Sequence, residues 1–247
     1  MIVARPPRAV ILLALALIPA AVLIGCETTR ERSARLAKEN KFQLADEESV
    51  NVTRKNRDVK VTEAKVLTDD FGQAAVVVVE VDADRPSLNV PIELTIEDSA
   101  GAQMFKNDTP GLDSALTGPA ALPAKGEAFW VYDQLTLTGK PGEAKAEVGK
   151  GEPFVKGPLP EFEISRTELE SDADGVLMAG TIAGDHKQTQ RKLVIYGLAR
   201  KRGKIVAAGT AQLEKLAVGR RARFQMFFVG DPSGADVSYF IPPTAVS

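Results

Sequence analysis

The 247-residue chain predicts an all-β protein, and its apolar runs, its turns and an internal echo all point the same way. Short stretches rich in valine and isoleucine recur along the chain, bounded by glycine, proline and aspartate, which is the pattern of half-buried strands and tight turns. In the first half these runs are Val59 to Leu67, Ala75 to Val81, Val90 to Ile96, Ala102 to Phe105, Ala128 to Leu137 and Ala144 to Val148. In the second half they are Phe162 to Leu169, Val176 to Ile182, Leu193 to Ala199, Ile205 to Leu213, Ala222 to Val229 and Val237 to Ile241.

The two series echo each other at a spacing of roughly 100 residues, about the size of one sandwich domain. Ile92-x-Leu94-x-Ile96 leads to a turn at Gly101, and Val194-x-Tyr196-x-Leu198 leads with equal spacing to Gly203. Alternation places each trio on one face of a strand, and each glycine supplies the positive φ that a hairpin asks for. Leu122-x-x-x-Gly126-x-x-Phe129 is likewise echoed by Leu216-x-x-Gly219-x-x-x-x-Phe224. Gly101 and Phe129 lie 28 positions apart but Gly203 and Phe224 only 21, so the first copy carries about seven extra residues. They fall in Asn107 to Gly118, whose Asn-Asp-Thr-Pro-Gly start predicts a surface loop. Units of this size and pattern predict two tandem immunoglobulin-like β-sandwiches, at 52–152 and 161–247, with a stiff proline and glycine joint at 153–160.

The N-terminus carries a different signal. Arg5 and Arg8 precede 16 uncharged residues, Ala9 to Ile24, which is shorter than the ~20 that cross a bilayer as a helix. Pro19 interrupts the run as well, so a secretory signal over 1–25 fits better than an uncleaved transmembrane anchor, the alternative reading. The run ends in Val22-Leu23-Ile24-Gly25-Cys26, where the chain's only cysteine directly follows glycine. This segment resembles the lipid-attachment box of bacterial lipoprotein precursors. The resemblance implies that Cys26 is acylated, becomes the first mature residue and ties the protein to a membrane outside the cytoplasm. Glu27 rather than aspartate follows the cysteine, which in such lipoproteins implies the outer membrane where the organism has two.

Residues 26–51 mix charges densely, as in Arg30-Glu31-Arg32 and Lys38-Glu39-Asn40-Lys41, and show no sustained apolar stripe. They predict a tether; as flexible coil, such a length reaches on the order of 25 to 30 Å. Loss of Met1 to Gly25 takes the formal charge from −2 to −4, which speaks against a general nucleic-acid binder. With its cysteine committed to lipid, the mature chain has no disulfide and must be held by packed cores.

Within the first copy, Leu94-Thr95-Ile96-Glu97-Asp98-Ser99-Ala100-Gly101, the Leu122 to Gly126 loop and the strand opening at Phe129 together resemble the FxLyD-type β-sandwich modules of bacterial lipoproteins. The second copy departs by placing Arg200 where Asp98 stands. The resemblance covers most of the mature chain and implies fold and envelope location, but no catalytic residues.

Chemistry is sparse. His186, the single histidine, lies in the polar stretch Gly184 to Gln188 and predicts a loop residue; one histidine builds neither a multi-histidine zinc site nor, without a Gly-x-Ser-x-Gly elbow, a hydrolase triad. Asp69-Asp70, Asp82-Ala83-Asp84 and Asp172-Ala173-Asp174-Gly175 read as turns rather than calcium loops, because the spaced ligands and closing glutamate of an EF-hand are missing. No metal, cofactor or enzymatic activity is expected.

Two patterns offer contact surfaces instead. Arg200-Lys201-Arg202 cap one hairpin and could meet an anionic polymer or lipid headgroups, while Arg191-Lys192 and Arg220-Arg221 start strands at the other end. In Phe129-Trp130-Val131-Tyr132, alternation sends Trp130 and Tyr132 to one face. If Phe129 and Val131 take the core, that face either packs against the neighbouring domain or meets a partner. The sequence thus predicts a lipid-anchored, non-catalytic binding, scaffold or assembly module of the envelope, whose partner is an envelope protein or anionic polymer. The alternative is a polysaccharide- or small-ligand-binding lipoprotein, distinguished by a concave site near Trp130 or in an interdomain cleft.

Overall fold

The computed structural model describes residues 50–247 except 51, 173 and 174. The signal segment, Cys26 and the tether up to residue 49 lie outside the described residues, and among those described no helix is long and apolar enough to cross a membrane. The described part is an all-β sandwich structure, and its residues belong to one compact unit.

Nine strands make the first half: β1 (Val59–Thr68), β2 (Gln73–Asp82), β3 (Ser87–Leu88), β4 (Ile92–Asp98), β5 (Gln103–Lys106), β6 (Ala121–Leu122), β7 (Lys125–Tyr132), β8 (Pro141–Val148) and β9 (Glu152–Pro153). Six make the second: β10 (Phe162–Asp172), β11 (Gly175–Gly184), β12 (Gln190–Lys201), β13 (Lys204–Leu216), β14 (Ala222–Gly230) and β15 (Asp236–Phe240). Each of the apolar runs read from the sequence overlaps one of these strands, although Ala128 to Leu137 overruns β7, which ends at Tyr132.

The halves share one plan. Antiparallel sheets β1-β2-β7 and β5-β4-β8 in the first correspond to β10-β11-β14 and β13-β12-β15 in the second. Even the irregularities match: β1 and β10 are both bulged, at Val61/Glu63 and Ser165/Glu168, and β4 and β12 both slip just before their hairpin, at Ile96/Glu97 and Ala199/Arg200. The second half differs in that β13 also pairs with β14, joining its sheets into one of six strands. That sheet curls back on itself, for Tyr239 on β15 lies with its hydroxyl 2.7 Å from the Met178 sulfur on β11, four strands away. In a flat sheet they would be about 19 Å apart. In the first half the insertion between β5 and β7 takes the place of that extra pairing.

The hairpins explain a difference in facing. Four residues, Ser99 to Ala102, link β4 to β5, with Gly101 three positions past the end of β4, and Asp98 braces them by accepting from the Ala100 and Ala102 amides at 2.8 and 2.9 Å. Only two, Arg202 and Gly203 with φ 54° and 75°, link β12 to β13. Equal spacing from the glycine therefore lands on opposite faces. Ile92, Leu94 and Ile96 fill the first half's own core, whereas Val194, Tyr196 and Leu198 face out of the second half and pack onto the first. Leu193, Ile195 and Ala199 are the residues that fill the second half's core.

Strands β2 and β12 are consequently buried on both faces. Val76 to Val79 and Leu193 to Ala199 are continuous apolar runs for this reason, as is usual for strands covered on each side. The joint is partly structured: β9 pairs with β3, and the Phe154 amide bonds the Pro86 carbonyl at 2.8 Å.

Candidate functional site

A cleft of about 330 Å³ opens between the halves, at the small end of the range typical for ligand sites. One wall is the inserted segment of the first half. The other is the outward face of β12 and β13 with the C-terminal tail. A second recess of about 150 Å³, lined by Val131, Asp133 and Thr210, shares Asp113, Val194, Tyr196 and Gln212 with it.

The insertion is not the free surface loop that its composition suggests. Asn107, fully buried, bonds three backbone groups: its amide nitrogen donates to the carbonyls of Ile92 (2.8 Å) and Leu116 (3.2 Å), and its oxygen accepts from the Leu94 amide (2.7 Å). Asp113 caps the 3₁₀ turn Ser114–Leu116 by accepting from the Ala115 amide at 3.0 Å. Trp130 Nε1 then donates to the Ala115 carbonyl at 2.8 Å and ties that turn to β7. Gly118 fits where nothing larger can, with φ 147° and the Val90 carbonyl 2.0 Å from where a Cβ would stand.

The opposite wall follows from strand alternation. Lys192, Val194 and Tyr196 share one face of β12, and Gln212 and Thr210 stand directly across from Val194 and Tyr196 on β13. Lys192 holds φ 49° in mid-strand, a left-handed conformation costing a non-glycine residue about 1–2 kcal/mol. Its ammonium lies 3.9 Å from the Asp113 carboxylate across the cleft. The tail is fixed by Gln190, also fully buried, whose Nε2 donates to the Ala245 carbonyl (2.8 Å) and whose Oε1 accepts from the amides of Thr244 (2.8 Å) and Ala245 (3.0 Å).

The second recess has distinctive electrostatics. Burial pushes the Asp133 carboxyl up from its ordinary range, opposed in part by a hydrogen bond from the Thr210 hydroxyl. Burial, with the Asp133 charge beside it, also pushes the Tyr196 hydroxyl up, so that it stays protonated.

The other residues singled out in the sequence lie elsewhere. Trp130 and Tyr132 are 1% and 4% exposed and sit in the first half's own core, where Tyr132 meets Phe105 edge-on at 5.1 Å, so neither offers a contact surface. It is Phe129 and Val131 that face the second half, Phe129 lying 6.0 Å from Phe240. Arg200 is drawn into an ion pair with Glu127 at 2.8 Å, Lys201 reaches the Ser233 carbonyl at 3.4 Å, and Arg202 stands at the exposed hairpin tip. The basic triplet therefore does not act as one patch. Asp69 braces its turn by accepting from the Phe71 and Gly72 amides, and also accepts from Gly230 in the second half at 2.7 Å.

His186 lies in the loop between β11 and β12, as expected, but is only 2% exposed, beside Phe162 with ring centroids 5.6 Å apart. Neither of its nitrogens has a protein partner. A wider depression of about 600 Å³ follows the joint, with Asp84, Arg85, Lys125 and Glu161 exposed at its rim and Lys125 paired to Asp82 at 3.0 Å. Asn107 reads only as the start of a surface loop and Gln190 goes unnoticed in the sequence; their one signal is an amide at a strand-loop boundary. Set against models of known protein families and against curated proteins, the chain matches none.

Proposed function

We propose that this protein is a lipid-anchored, non-catalytic binding protein of the bacterial cell envelope, with its ligand seat in the cleft between the two halves. Anchoring rests on the sequence around Cys26, whose acyl chains contribute about 0.8 kcal/mol per buried methylene and together make release slow. The resemblance to FxLyD-type, immunoglobulin-like lipoprotein modules supports the same location, and the outer membrane is the expected site in a two-membrane cell.

The observation that carries the binding role is the bracing of both cleft walls by fully buried amides, Asn107 on one side and Gln190 on the other. Such bracing lowers the ordering cost that a ligand meets on arrival. A pure scaffold needs no such cavity. Contact with an anionic polymer is less favoured, since Arg200 is engaged by Glu127.

Two measurements test the proposal. Labelled palmitate is expected to enter the wild type and not Cys26→Ser; equal labelling would remove the anchor. Equilibrium dialysis of the purified protein against an envelope small-molecule extract, read by mass spectrometry, is expected to enrich a compound that Gln212→Trp, which fills the cleft mouth, does not retain. No differential enrichment would remove the ligand seat.

A further inference from the structure

Resting on the reading of the cleft as a ligand seat, we infer that its ligand is a small zwitterion of the amino-acid class with an apolar side chain. The cleft mouth holds one charge of each sign. Asp113 comes from the first half and Lys192 from the second, and at 3.9 Å they are too far apart for a direct hydrogen bond. Each keeps bonding capacity to spare: Asp113 uses one oxygen to cap the Ser114 turn, and an ammonium carries three donors. A ligand ammonium reaches Asp113 while its carboxylate reaches Lys192, each in a charge-assisted bond.

A purely anionic ligand would meet Asp113, and a purely cationic one would meet Lys192, as a like charge. A zwitterion satisfies both, with a charge-assisted bond at each end. Besides the pair, the lining mixes apolar Val90, Ala115, Val194 and the ring of Tyr196 with polar Thr117 and Gln212. About 330 Å³ admits one amino acid or a dipeptide, not a polymer chain. The cap also fixes Asp113, and the left-handed backbone at Lys192 is the kind of local strain that gathers at binding sites.

The test is calorimetric titration of the full-length protein in detergent with L-leucine, N-acetyl-L-leucine, L-leucinamide and glucose. L-leucine is expected to bind, and removal of either ligand charge is expected to weaken binding about tenfold or more. Lys192→Gln should weaken L-leucine by a similar factor without weakening L-leucinamide, which loses a like charge, and Asp113→Asn, which preserves the cap, should weaken L-leucine without weakening N-acetyl-L-leucine. Equal binding of the three leucine compounds, binding of glucose in their place, or no binding by any of the four overturns the inference. If the dialysis still enriches a cleft-dependent compound that is not zwitterionic, the seat stands and only its ligand class falls; if nothing is enriched, both fall.

Discussion

Asp133 shows how a single carboxyl can weaken a fold at neutral pH. It sits where the halves meet, bonded by the Thr210 hydroxyl, and burial lifts its pKa above the ordinary 3.8. A carboxyl held this way binds its proton more tightly when folded than when unfolded. The stability it contributes is therefore complete below the unfolded value and is lost as pH rises through the folded one. Asp133→Asn keeps an acceptor for Thr210 and cannot ionise. The variant is expected to be more stable than the wild type at pH 7, by roughly 1 kcal/mol, with the difference closing toward pH 3. Urea denaturation at both pH values measures this, and a gain that is equal at both would show that ionisation is not the cause.

Among the elements, the insertion between β5 and β7 does most to make the cleft, and Asn107 does most to hold the insertion. Asn107→Ala would strip partners from the Ile92 and Leu116 carbonyls and the Leu94 amide, all in a buried setting. The expected cost is about 2–4 kcal/mol, larger than that of a typical single substitution, and hydrogen exchange should rise first across residues 107–120. Uniform exchange along the chain would mean that Asn107 holds the whole core rather than this wall.

The strands themselves were legible because period-2 alternation and turn residues are local signals, as in Val59 to Leu67. The two-residue pairs at Ser87, Ala121 and Glu152 were not, being too short to alternate. Val194, Tyr196 and Leu198 do share a face, but which way that face turns, and which of Phe129 to Tyr132 meet the other half, was not legible, because alternation tells which residues share a face but not which face is covered by what. Gly101 stands three positions past the end of β4 and Gly203 two past the end of β12, and that one-residue difference was enough to reverse the parity. The cleft was illegible for a related reason. Asn107 and Gln190 act through partners on other segments, and an asparagine beside Asp-Thr-Pro-Gly carries the composition of an open turn.

Both halves have their own core, yet the outward face of β12 shares a cluster with the first half's residues. Polar ties reinforce this seam: Lys65 Nζ donates to the Ile205 carbonyl at 2.7 Å, Asp69 accepts from Gly230, and Arg200 pairs with Glu127. Burial of Val194, Tyr196 and Leu198 at about 25 cal/mol per Å² outweighs such partly exposed pairs, which contribute about 1 kcal/mol or less each. The halves should therefore unfold together, in one calorimetric transition whose van't Hoff and calorimetric enthalpies agree. Phe129→Asp places a charge in the seam opposite Phe240 while sparing Trp130 and Tyr132, which serve the first half's own core. It is expected to split the transition in two and to abolish cleft-dependent ligand retention along with it. Two transitions in the wild type would show instead that the seam couples the halves too weakly to hold the cleft in one shape.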